Sequence, residues 1–90
     1  MPAGSRPGDD LIRDGIEDLA HQVESTAALL VSIGAPRLRA LGFTLPPTID
    51  APELRLYERL RQEGPDAAHA RYNALIRRLV SFERAAACAR

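Results

Sequence analysis

Lysine is absent, and all twelve basic residues are arginine. Without lysine the chain cannot form a protein Schiff base, hold pyridoxal phosphate covalently or supply the lysine of a phosphate-binding P-loop, so those enzyme classes are excluded. Cysteine occurs once, at Cys88, which excludes an intrachain disulfide. Long apolar runs are missing too: the longest, 27–31 with Ser32 and Ile33 after it, falls far below the roughly 18 residues of a membrane-spanning helix. No segment rich in Val, Ile and Thr alternates with polar residues as a strand would, and no solenoid-length repeat fits in 90 residues. Twelve acids balance the twelve arginines, so no global field steers the chain onto nucleic acid or an anionic membrane. The opening MPAGSRPGDD lacks the apolar core of a secretory signal, and the expected location is cytoplasmic.

What is present is aliphatic and helical. Hydrophobic residues make up 46 %, but 15 of them are alanine, leaving about 24 large apolar side chains. A chain this short buries only roughly 60 % of its unfolded surface, so the core is thin and a second copy or a partner is expected to complete it. Residues 1–8 hold two prolines, two glycines and a serine without periodicity and read as a flexible leader. Residues 9–90 read as a single helical domain.

The fold class expected is all-α: a small bundle with two long amphipathic helices, about 10–33 and 65–87, a medium helix, about 51–63, and a short helical turn, about 36–41. The strongest pattern is Ile12, Ile16, Leu19, Val23, Thr26, Leu30 and Ile33, at alternating spacings of four and three, which defines one apolar seam along a helix. Asp9 or Asp10 offers an N-cap, Gly34 a left-handed C-cap, and Pro36 a stop. Gly15 lies inside this helix at a cost of about 1 kcal/mol relative to alanine. Pro46 and Pro47 stiffen the connector. Asp50 as cap, Glu53 reaching back and Ile49 clasping Leu54 predict the entry of the medium helix. Gly64 and Pro65 separate it from the last helix, whose seam is Ala68, Tyr72, Leu75, Leu79, Phe82 and Ala86, widened by Ile76 and Val80.

Two faces are candidates for function. Six acids against two arginines fall in residues 1–24, and eight arginines against five acids in residues 51–90. Asp10, Asp14, Glu17, Asp18 and Glu24 gather away from the first seam, while Arg71 and Arg78 flank the seam of the last helix. They are either ordinary solvated faces or a charged docking strip. Glu83 projects near the middle of the last helix's apolar face and asks for a partner, an arginine at an interface before a catalytic role. Tyr57 and Tyr72 read as core or interface anchors. The pairs Asp18/His21 and Asp66/His69 have the i, i+3 spacing of carboxylate–imidazole metal ligands. On the first helix, however, they point about 130° to 170° from the seam, outside any bundle core, so no metal and no cofactor is expected. Arg71, Asn73, Arg77 and Arg78 lie early in the second member of a helix pair, where a DNA-recognition helix would present them, although the net charge is zero.

In outline, a long first helix, a proline-bearing connector, a helix opened by Asp50-Ala51-Pro52-Glu53 and a final helix, the chain resembles the all-helical chorismate mutase family. The resemblance implies a helical bundle and, through Arg13, one of the cations that hold a polyanionic substrate. At the other places where that family carries arginine or glutamate, this chain has Leu30, Leu54 and Arg55.

The reading the residues support most economically is a non-enzymatic interaction, accessory or regulatory module that self-associates, most simply as a homodimer. Its interface is Ile12, Ile16, Leu19, Val23, Leu30 and Ile33, helped by Tyr72, Leu75, Leu79 and Phe82, with Arg71, Arg78 and Glu83 as polar members. A chorismate-mutase-like enzyme and a helix–turn–helix regulator are the alternatives.

Overall fold

The computed structural model describes residues 8–88, so the expected leader lies outside the described residues except for Gly8. Four helices occur, α1 (Asp9–Ala20), α2 (Thr26–Ala40), α3 (Pro52–Glu63) and α4 (Ala68–Cys88), and no strand is present among the described residues. The fold is all-α.

The expected helix over 10–33 is two helices. Its first half starts from Gly8, whose left-handed backbone (φ 76°) places its carbonyl to accept from the Ile12 N–H at 3.0 Å; neither aspartate caps with its side chain, although both sit where negative charge favours a helix start. The break comes at 21–25. Gln22 adopts φ 60°, the Gln22 N–H donates to the Leu19 carbonyl at 3.1 Å, and the Val23 N–H donates to the Asp18 carbonyl at 2.8 Å. Those two bonds are the Schellman pattern that closes a helix end, here built on glutamine instead of glycine. Ser25, in extended conformation, then opens α2 by accepting from the Ala28 N–H at 3.0 Å while its own hydroxyl donates to the Asp18 carboxylate at 2.6 Å. The chain reverses, and α1 lies back along α2.

Gly15 explains how closely. A Cβ built there would sit 2.4 Å from the Ala27 carbonyl oxygen and 2.5 Å from a Val31 methyl, so the residue that weakens α1 as a helix is the one that lets the two backbones touch.

Gly34 and Pro36 do not end α2. Gly34 is helical and buried, and a Cβ there would lie 2.8 Å from the Leu79 side chain, so its smallness admits α4 rather than turning the chain. Pro36 removes the N–H that would bond the Ser32 carbonyl, but Leu38 beyond it is fully buried and holds the helix on course. The helix closes at Gly42 (φ 100°), with the Gly42 N–H on the Arg39 carbonyl and the Phe43 N–H on the Leu38 carbonyl, both at 3.0 Å, the same motif as at Gln22. The expected turn over 36–41 is therefore the last part of α2.

α2 packs against all three other helices. It is buried over 27–32 and at Gly34, Ala35 and Leu38, the all-round burial of a central helix. Leu56 and Leu60 of α3 and Leu79, Phe82 and Ala86 of α4 complete the core. The connector is tied down by Ser32, whose hydroxyl donates to the Ala28 carbonyl at 2.9 Å and accepts from the Ile49 N–H at 3.1 Å, and by Phe43, whose ring lies 5.5 Å from that of Phe82. The Asp50 cap and the Ile49–Leu54 clasp are not formed. Ala51, left-handed at φ 48°, occupies the cap position, Pro52 starts α3, and Leu54 is 61 % exposed. α4 begins three residues later than expected, after a turn in which the Ala67 N–H donates to the Gly64 carbonyl at 3.1 Å.

Candidate interaction surface

The candidate interface residues divide. Ile12, Leu19, Leu30, Leu79 and Phe82 are buried within the single chain; Ile16, Ile33, Tyr72 and Leu75 are partly buried against the same core. Val23 is 47 % exposed. Folding α1 back on α2 uses most of the seam internally and turns its middle residue outward.

What remains open runs along α1. One cleft of about 460 Å³ is floored by Ile12, Ile16, Phe43 and Phe82 and edged by Asp9, Arg13 and Glu17. A second, of about 310 Å³, lies between the 21–25 turn and the connector, where Val23 and Leu19 face Pro46, Pro47 and Ile49, with Glu24 at its edge. Ala20 lines both. The result is apolar surface walled by α1 on one side and by the connector on the other, beneath a mostly acidic rim.

The charged candidates are occupied on the surface. Arg78 reaches Asp10 at 3.7 Å, so the acidic first helix and basic last helix do meet, through one exposed pair; Arg71 bridges to Glu63 at 3.6 Å. Exposed pairs of this kind contribute about 0–1 kcal/mol each. Arg55 lies 3.7 Å from Glu24, and Arg59 donates to the Thr26 hydroxyl at 3.2 Å, so two α3 arginines brace the start of α2 and the turn before it. Glu83 sits against Gly34; burial pushes its carboxyl above the ordinary glutamate range, and the nearby Arg37 charge partly opposes the shift. Tyr72 meets Tyr57 edge to face at 5.8 Å, and burial together with the Glu53 charge raises its hydroxyl above the ordinary tyrosine value.

Asp18, His21 and His69 serve local structure. Asp18 holds Ser25, His21 Nδ1 lies 2.9 Å from the Glu17 carbonyl, and His69 Nε2 lies 3.2 Å from the Asn73 amide. Among the described residues no group of three or more His, Cys, Asp or Glu gathers to hold a metal. Arg13 leans on Asp9 at 3.9 Å, at the opposite end of α1 from the turn where Arg55 pairs with Glu24. Leu30 is fully buried. The outline that suggested a chorismate mutase also changes, because its long first helix is a hairpin of two. Comparison with protein-family models, with curated proteins and with solved structures finds no match for this chain.

Three residues that position this surface escaped the sequence reading: Gln22, Ser25 and Ser32. Ser25 carried a usable signal, since Val-Glu-Ser-Thr is a helix-start composition, but the unbroken apolar spacing across it outweighed the cap. Among the described residues no helix is long and apolar enough to cross a membrane.

Proposed function

We propose that the chain is a non-enzymatic helical interaction module of the cytoplasm, accessory or regulatory in role, that works as a homodimer. The observation that carries this reading is the apolar surface left open along α1, with Val23 exposed in mid-seam at one cleft and Ile16 and Phe43 on the floor of the other. A contiguous apolar patch under a charged rim is the usual mark of a surface that meets another chain. Light scattering over a wide concentration range tests it. The wild-type chain is expected to have twice the monomer mass at micromolar concentration, and Val23→Asp, an exposed substitution that leaves the core intact, is expected to shift the mass toward the monomer. A wild-type chain that stays monomeric into the millimolar range contradicts the reading.

A further inference from the structure

Three features of residues 21–25 point to the way two copies combine. The apolar spacing of four and three passes through the turn without a fault: Leu19, Val23 and Thr26 keep the register that joins Ile12 to Ile33. The turn holds no glycine and no proline, the residues that usually forbid a helix from continuing. Yet it stands in a reversed form that needs Gln22 at φ 60°, where an L side chain is strained, and that leaves Val23 half exposed. The closed turn is held by bonds at or near the surface: two Schellman bonds, the Ser25 cap, the Ser25–Asp18 contact and two α3 arginines, Arg55 on the Glu24 carboxylate at 3.7 Å and Arg59 on the Glu24 carbonyl at 3.5 Å.

We infer that the partner is a second copy of this chain and that the two exchange α1: residues 21–25 straighten, α1 and α2 join into one continuous helix, and each α1 packs on the other copy's α2. This deepens the self-association proposed above and rests on it. Apart from the Asp18–Ser25 bond at the hinge, the exchange keeps the packing of α1, including the close approach of Gly15 to Ala27 and Val31, because the same surfaces meet between chains instead of within one. The two forms therefore differ mainly at the hinge. Straightening relieves Gln22 and replaces the cap bonds with ordinary i to i−4 helix bonds. It also returns Val23 to the seam, next to the corresponding hinge of the other copy, where the two straightened segments cross. Opposing it is the entropy of association, so the balance depends on concentration and on the residues of the hinge.

The test combines hinge variants with an intrachain distance. Gln22→Gly removes the left-handed penalty from the closed turn and weakens the continuous helix, so the dimer dissociation constant is expected to rise about tenfold or more, the equivalent of about 1.4 kcal/mol per dimer. Gln22→Ala with Ser25→Ala acts oppositely, strengthening the helix and removing the cap, and is expected to lower that constant by a similar factor. In Cys88→Ser chains, spin labels at Asp14→Cys and Arg37→Cys, diluted with unlabelled chain so that only intrachain pairs are read, would be about 35 Å apart along one continuous helix and much closer in the hairpin. The inference expects the long distance in the dimer fraction and the short one in the monomer fraction. A dimer that keeps the short distance, or whose dissociation constant ignores both hinge variants, overturns the exchange while self-association stands. A chain that remains monomeric even as the double alanine variant overturns both.

Discussion

α1 and α2 are the two halves of one periodic pattern, yet they are buried in different ways. α1 gives the core a narrow stripe, Ile12, Gly15 and Leu19, and keeps five carboxylates outside it; α2 is buried on nearly every side. Spacing alone does not separate them, because Ile12 to Leu19 and Leu30 to Ile33 obey the same rule. The filling between the seam positions does. In α1 those positions hold aspartate and glutamate, whereas in α2 they hold Ala27, Ala28, Leu29 and Val31. An apolar stripe predicts contact on one side, and apolar filling around it predicts a helix enclosed by others.

The difference is sharpest when like residues are cut back in each half. Leu30→Ala in α2 is expected to cost about 2–5 kcal/mol, since it opens a cavity at a site that water does not reach. Ile16→Ala in α1, on the floor of an open cleft, should cost about 1 kcal/mol by its smaller burial. Urea unfolding of both variants measures the gap, and equal costs would mean that the halves are buried alike. Next comes the joint between them. Gly15→Ala gains helix propensity but drives a methyl against the Ala27 carbonyl, and a net loss of about 1–3 kcal/mol is expected from the overpacking. A gain in thermal midpoint would show that α1 and α2 stand farther apart.

Ser25→Ala, measured on dilute chain, is expected to lose about 1 kcal/mol with the cap it gives Ala28. The smallest effect concerns α2 and α4. Glu83 is held above the ordinary glutamate range, so the folded chain binds that proton more tightly than the unfolded chain does. Stability should fall as pH rises from the ordinary glutamate value through the raised one, then level off, and Glu83→Gln should flatten that fall. Denaturation midpoints across this pH range would show a parallel slope in both proteins if Glu83 were not its source.

Much of the fold was legible in the sequence because it depends on density and punctuation. The all-α class, the span of α3 and most of α4 follow from periodicity bounded by Gly64, Pro65 and Pro52. The partial burial of Glu83 follows from its angle on α4. What could not be read were choices made between segments. Gly34 looks like a cap until Leu79 is seen against it, and Gly15 looks like a defect until Val31 is. Pro36 looks like a stop, but the burial of Leu38 and the better closing residue at Gly42 move the end. The open surface on α1 was hidden for the same reason, since it exists only because the seam doubles back at Gln22, a residue with no strong preference for a turn.

The central claim is that one apolar seam is interrupted at residues 21–25 and folded on itself. Nuclear magnetic resonance of dilute, monomeric chain tests it most directly. The account predicts helical Cα shifts over α1 and α2 separated by a non-helical stretch with positive φ at Gln22, and contacts between Gly15 and the Val31 methyls. Unbroken helical shifts from Leu19 to Leu29 in the monomer, with no Gly15–Val31 contact, would contradict it.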